Sequence, residues 1–416
     1  MTILGPWESK PEEDVISYEP CSSVSSVRPY NPPMRIAVLG GGPAGGSAAL
    51  ALARGGAAVD LYLPARPGEK PCGGAVPEHV LPRLAGFDPG PLPAVVSPAA
   101  VLENARGGRI GVDLQGIRIF RRRDFDGALA AAAVAAGAVP RPARAERLEW
   151  GNDRDGARVT AGGETRVYDW IVGADGARGL TRRSLGLAPR GDSLGLGGSL
   201  SGLAWERLVL AFPGLADAYL WIFPRPGGAS VGIAYTAGRL TDAAARAALD
   251  SFLDRHLPAG WRHLPGPRYR YPIPVFGEWT LPAVRRALAR RVLLAGDAAA
   301  LADPLTREGI RYGLLSGLWA AKGLLAGDSE SYPDVLAAEL SAEMAKAGDA
   351  RDLFFEGSIG QWMVPAARLH PGIRRVLEDL LACRQPYTGL KRRLLRSFFA
   401  PPTSPGPSRT HTPSGP

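Results

Sequence analysis

The run Arg35-Ile-Ala-Val-Leu39 turns apolar and then breaks into glycines, a pattern that predicts a buried strand ending in a tight turn. The Ala-rich segment 43–55 follows as a helix and Val59 to Leu63 reads as a second strand, so the ordered part opens with a βαβ unit. Further on, residues 124–137 (DFDGALAAAAVAAG) predict a helix stopped by Gly137, and 156–172 predict strands ending in DWIV. Short glycine-bounded runs rich in β-formers between 196 and 235 suit an antiparallel sheet. Residues 291–295 (RVLLA) predict another buried strand, 309–325 a helix, and 332–399 a mostly helical region, with no internal repeat.

Both ends break this pattern. Residues 1–33 are polar, punctuated by Pro and Ser and without a period, which predicts a flexible extension, with Met34 as a second potential start. The stretch from 401, PPTSPGPSRTHTPSGP, is of low complexity and reads as a disordered tail. A chain of 416 residues, 45% hydrophobic and 21% charged, has material for two or three compact units. Its net charge of +9 fits anionic cofactors, phosphorylated substrates or an anionic membrane surface. No zinc-finger spacing, RNA-binding aromatic motif or basic region leading into heptads points to nucleic acid. Cys21, Cys72 and Cys383 lie far apart without a CxxC, which indicates neither a disulfide framework nor a metal site and suits a cytoplasmic setting. No apolar run approaches the roughly 18 residues that span a bilayer, so any membrane contact is expected to be peripheral.

The chemistry concentrates in a few stretches. Gly40-Gly41-Gly42-Pro43-Ala44-Gly45 fits GxGxxG between the first strand and the first helix. There Gly40 permits the tight turn, Gly42 lets the backbone approach a pyrophosphate and Gly45 allows close packing, while Pro43 and Ala44 open a helix whose positive end faces the phosphates. The acidic residue that should close the second strand and hold ribose hydroxyls is missing: its position falls at Leu63, and alternation turns Asp60 to the opposite face. Arg66 cannot replace that acceptor; it is either a surface charge or a contact to phosphate or adenine.

Next comes EKPCGGAVP at 69–77, a lone thiol at Cys72 beside Gly73 and Gly74, which permit close backbone approach. Arg121-Arg122-Arg123 is either a solvated charged face or, at Arg122, a cofactor contact. Asp175 and Gly176 follow one strand and Gly296-Asp297 another, and Asp297 either caps the next helix or meets a ligand. Tyr219, Trp221 and Phe223 share a strand face ahead of Pro224, with Gly232 in the following run. They either pack a sheet on its core or wall a slot for an elongated apolar molecule.

In order and spacing, GGGPAGGSAALALARGG, KPCGG, GADG and AGDAAALADPLTREGI resemble the FAD-dependent geranylgeranyl reductase family, within the hydroxylase-like flavoproteins, over about residues 35 to 395. The resemblance implies an α/β fold with a Rossmann-like FAD-binding domain from 34–95, 118–185 and 276–330. It adds an inserted antiparallel β-sheet substrate domain from 96–117 and 186–275, and a C-terminal helical region at 331–400. It implies FAD, not NAD, held by Gly40, Gly42, Pro43, Ala44, Gly45, Arg66, Cys72, Gly73, Gly74, Arg122, Asp175, Gly176, Gly296, Asp297, Gly309 and Ile310. Asp297 would accept from the ribityl chain, and the helix start at Gly309 and Ile310 would stabilise negative charge on the reduced flavin. Tyr219, Trp221, Phe223, Pro224 and Gly232 resemble the family's YxWxFP and GxG and imply a wall for an isoprenoid chain. Three positions depart from the pattern: Gly179 stands for a Ser, Arg307 for a Gly and Ala234 for the last Gly. Arg307 either strengthens the positive helix end or intrudes on the reacting space.

The implied reaction is reduction of C=C bonds in a prenyl chain by hydride from reduced FAD, with NAD(P)H or ferredoxin as the external reductant. Cys72 is then the candidate catalytic residue, since a thiol of ordinary acidity is mostly protonated near neutrality, unless its place reflects shape alone. KRRLLRSFF at 391–399 pairs basic with bulky apolar residues, as an interfacial anchor does, or is simply the last helix of the helical region. Together these imply a prenyl-lipid substrate and a cytoplasmic protein peripheral to the membrane. A flavin monooxygenase or halogenase acting on an aromatic or polyketide substrate shares the flavin motifs and stands as the alternative. A degenerate lipid-binding flavoprotein, suggested by Leu63, Gly179 and Arg307, is the third reading.

Overall fold

The computed structural model describes residues 34–65, 68–84, 86–96, 99–151, 156–187, 193–355 and 359–399; the expected extension 1–33, the tail 401–416 and Arg66 lie outside them. The first strand, Arg35–Leu39, is central to a five-stranded parallel sheet in the order Val292–Leu294, Trp170–Gly173, Arg35–Leu39, Ala58–Tyr62, Val139–Arg141. Burial on both faces explains its near-continuous apolar runs. The helix Pro43–Arg54 packs on it, and its many small residues let the helix Ile310–Leu325 approach closely. A Cβ at Gly317 would overlap the Ala44 carbonyl and the Ser47 hydroxyl. The βαβ opening is therefore as expected, except that the second strand ends at Tyr62; Leu63 still donates its N–H to the Arg141 carbonyl at 3.1 Å.

A seven-stranded sheet draws on residues 99–113 and 193–273, in the order Arg268–Ile273, Ser193–Ser201, Gly228–Thr236, Ala218–Arg225, Leu208–Phe212, Ala99–Asn104, Arg109–Asp113. Its pairings are antiparallel with one exception: Leu208–Phe212 runs parallel to Ala99–Asn104, an arrangement open to strands that no hairpin joins. Alternation divides this sheet cleanly. Leu220 and Ile222 face the helix Asp242–His256 with Leu249 and Phe252, whereas Trp221 and Leu210 face the other way, toward Val364, Ile373 and Leu377.

The C-terminal region forms the helices Tyr332–Phe355, Ile359–Leu369, Pro371–Leu381 and Leu390–Phe399. The α/β class read from the sequence is the observed one. No helix among the described residues is long and apolar enough to cross a membrane.

Two glycine substitutions test the helix contact with opposite signs. Gly317→Ala should cost about 1–3 kcal/mol, since the methyl meets backbone that cannot move aside. Gly348→Ala, in the helix Tyr332–Phe355 with nothing within 4 Å of the new methyl, should stabilise by about 0.4–1 kcal/mol. Thermal melting of the two variants checks both.

Candidate functional site

One cavity of about 350 Å³ runs between the two large sheets. At one end it is lined by Gly42, Pro43 and Ala44, by Lys70 to Ala75, by Arg122 and Gly176, and by Gly296, Asp297, Gly309 and Ile310. Tyr219, Trp221 and Phe223 form its middle wall, and the far end reaches Leu377, Leu381, Leu390 and Leu394 of the C-terminal helices. Fifteen of the residues singled out in the sequence thus come together around one space.

The remaining ones do something else. Gly40, at φ +107°, and Gly45 shape the turn, where a Cβ on either would strike backbone. The Asp175 carboxylate turns to the next helix, accepting from the Thr181 N–H at 2.8 Å and the Thr181 hydroxyl at 3.0 Å. It leaves the cavity wall to Gly176, and burial pushes its pKa up. Gly179, where the family pattern has a Ser, sits so close to that carboxylate that any Cβ would collide with it. Pro224 and Gly232 do not line the cavity. Gly232 lies opposite Trp221 in the register and makes room for its indole, where a Cβ would overlap the ring. These residues support the site from behind.

At the glycine-loop end the charges are arranged in pairs. Arg122, 3% exposed, holds Asp126 through two bonds of 3.0 and 2.9 Å. Burial pulls its guanidinium toward neutrality, but Asp126 and the neighbouring Cys72 outweigh that and keep it charged. Lys70 Nζ donates to Asp297 Oδ2 at 3.0 Å. Sequence reasoning missed Lys70, although it stands two residues before Cys72, because its partner is 227 positions away. Glu69 accepts from Arg225 Nη1 at 2.7 Å and from the Arg122 N–H at 3.1 Å, which ties the loop of Cys72 to the seven-stranded sheet. Gly74 N–H points at the Cys72 sulfur at 3.4 Å.

The aromatic wall is ordered by its neighbours. Ring centroids of Tyr219 and Trp221 are 6.1 Å apart, and those of Trp221 and Phe223 are 6.5 Å apart. Tyr219 donates its hydroxyl to the Thr306 carbonyl at 2.7 Å, and burial pushes its pKa up to about 12. Trp221 Nε1–H donates to Ser230 Oγ at 3.3 Å, and the Ser230 hydroxyl donates to the Cys72 carbonyl at 3.1 Å. Tyr269 and Tyr271, alternate residues of Arg268–Ile273, also line the cavity and were not anticipated, although their RYRY pattern repeats the signal that marked the wall. The Tyr269 hydroxyl is buried beside Ser230.

Arg307 lines the cavity beside Tyr219, its guanidinium carbon 5.8 Å from the ring centre, but it does not strengthen the positive helix end. It adopts φ +57°, the left-handed conformation that favours the family's glycine, and its guanidinium turns to Asp217 in a buried ion pair. Ser193 accepts from its Nε at 3.0 Å and the Leu305 carbonyl from Nη1 at 2.9 Å. The charge is neutralised against the seven-stranded sheet, so it adds nothing to the positive helix start at Ile310. Chemically, one end of the cavity suits an anionic cofactor with a diphosphate, and the other suits an elongated apolar chain.

Scanned against models of protein families, the chain matches none. It is 29% identical over 344 residues to a chloroplastic geranylgeranyl diphosphate reductase of rice (Oryza sativa), covering 75% of this chain and 71% of the relative. It is also 29% identical over 331 residues to a menaquinone reductase of Mycobacterium tuberculosis, covering 73% and 79%. Among solved structures, a geranylgeranyl bacteriochlorophyll reductase-like protein of Thermoplasma acidophilum superposes with a TM-score of 0.67 at 20% identity, over 88% of this chain and 99% of that one. A flavin-dependent brominase superposes at 0.60 with 16% identity, over 87% and 98%.

Asp217→Asn should leave the Arg307 cation buried and unpaired, at a cost of about 3–5 kcal/mol. Adding Arg307→Met should recover a large part of the loss, a coupling that melting curves of the single and double variants measure.

Proposed function

Because the chain belongs to the geranylgeranyl reductase family of FAD-dependent oxidoreductases, we propose that it reduces C=C bonds in an isoprenoid chain of the geranylgeranyl type. The observation that carries this reading is the continuity of the cavity, from a glycine loop flanked by two cations, past the aromatic wall, to an apolar end among helices. A short polar substrate has no use for that length.

FAD fits the first end. At Gly42 the backbone is open enough that even a Cβ would stay 3.9 Å from the nearest side-chain atoms, those of Arg122 and Asp126. Lys70 and Arg122 supply positive charge, and the helix start at Ile310 faces the same space. Bound there, FAD would supply the hydride that an alkene carbon accepts. The ribose end is less well served. No carboxylate closes the second strand, since Asp60 is engaged by Arg141 at 3.0 Å and by the Tyr168 hydroxyl at 2.6 Å.

What the chain itself contributes is dryness, alignment and a proton. An unactivated alkene is a poor hydride acceptor, so holding it against Tyr219, Trp221 and Phe223 and protonating its other carbon are both needed. Cys72 lines the cavity by this wall together with Tyr219, Tyr269 and Tyr271; the Tyr219 hydroxyl is committed to the Thr306 carbonyl and the Tyr269 hydroxyl is buried. The Gly74 N–H points at the Cys72 sulfur, and the Arg122 guanidinium lies beside it.

The decisive experiment is anaerobic reduction of the FAD-loaded protein with dithionite, followed by geranylgeranyl diphosphate and related prenyl lipids. Flavin reoxidation with product mass rising by two hydrogens per bond is expected, and the absence of both rejects the reading. A monooxygenase or halogenase would require oxygen instead. Cys72→Ala should lower the rate at least about tenfold while FAD stays bound if the thiol gives the proton; an unchanged rate moves that role to Tyr269 or to solvent. Leu63→Glu should tighten FAD binding several-fold by restoring a ribose acceptor, read by flavin fluorescence on titration.

A further inference from the structure

The helices that close the far end of the cavity have a second, outward face. On Ile359–Leu369, the residues Ile359, Trp362 and Leu369 recur at helical spacing, and Trp362 and Leu369 are 61% and 76% exposed. On Leu390–Phe399, Leu395 and Phe398 are 63% and 51% exposed. The two rows form one patch, since the ring of Phe398 stacks on His370, next to Leu369, at 4.2 Å. A monomer in water gains nothing from large apolar side chains gathered this way.

Charge decides what covers them. Residues 359–399 hold eight Lys and Arg against two Asp and Glu, so a tenth of the chain carries +6 of the net +9. Both acids are already engaged, Glu378 with Arg374 and Asp379 with Arg384. Arg368, Lys391, Arg392 and Arg396 are exposed around the patch and join no ion pair among the described residues. The cavity also reaches the surface here, for Leu353 and Ile359 both line it and are 43% and 39% exposed.

We propose that this face docks on an anionic lipid bilayer, with Trp362, Leu369, Leu395 and Phe398 in the headgroup boundary and the unpaired cations on lipid phosphates. A second copy of so basic a surface would repel it, and nucleic acid would leave the apolar residues wet. A prenyl lipid held in the bilayer would then enter at Leu353 and Ile359 without crossing water. Only that last step rests on the proposed activity.

Flotation of the full chain with phosphatidylcholine vesicles, with and without phosphatidylglycerol, tests the docking. Binding to the anionic vesicles should be at least about tenfold stronger and should weaken several-fold in about 0.5 M salt, where charges are screened beyond a few ångströms. Trp362→Ser with Leu395→Ser, and separately Arg392→Glu with Arg396→Glu, should each reduce it about tenfold while the melting temperature holds. Val139→Ser, at an exposed apolar position on the parallel sheet, should not. Equal binding by all variants, indifference to phosphatidylglycerol, or a dimer in sedimentation that the apolar variants dissociate would overturn the proposal. Turnover of detergent-dispersed geranylgeranyl diphosphate reads the chemistry separately: vesicle binding without turnover rejects the activity alone, and turnover without vesicle binding rejects the docking alone.

Discussion

At Ala44 three distant parts of the chain come within backbone reach. Gly313 and Gly317 of the helix Ile310–Leu325 pack against Pro43 and Ala44, and Gly296 packs against the Ala44 methyl. Hydroxyls fill the remaining space: Ser47 donates to the Leu314 carbonyl at 2.9 Å, and Ser316 accepts the Gly296 N–H at 3.0 Å. Side chains at these glycines would hold the two helices apart and draw Asp297 and Gly309 away from the glycine loop. The glycine-loop end of the cavity therefore exists because two helices touch almost without side chains between them.

The same cavity brings several cations close to apolar surface, and the fold meets the desolvation cost by pairing. Arg122 with Asp126, Lys70 with Asp297, Arg225 with Glu69 and Arg307 with Asp217 each place a carboxylate against the positive group. Three of these pairs join residues far apart in sequence, so they also fix how the parallel sheet, the loop of Cys72 and the seven-stranded sheet meet. A ligand that brings phosphates to Lys70 or Arg122 does so against a carboxylate already in place.

Local patterns carried much of this. The first strand, the glycine turn and the aromatic alternation at Tyr219, Trp221 and Phe223 are set by neighbours in sequence, and periodicity alone places them. The missing carboxylate at Leu63 was legible for the same reason. What was not legible depends on contacts across the chain. Nothing near Asp175 says that its carboxylate is occupied by Thr181, nothing near Gly232 that Trp221 fills the space above it, and nothing near Arg307 that Asp217 waits 90 residues away. A motif glycine can touch a ligand or make room for a neighbour, and sequence spacing does not distinguish the two.

The seven-stranded sheet separates two tasks by the pleat. Its one face, with Leu220, Ile222 and Val231, is committed to the helix Asp242–His256, while the other, with Tyr219, Trp221 and Phe223, borders the cavity. Side chains on the second face contribute little to the first core, so the bore can be recut while the scaffold stays as it is. The length and width of that bore then become adjustable at Leu210, Phe212 and the facing helix residues Leu377 and Leu381. A single fold of this kind is a gauge with a replaceable jaw.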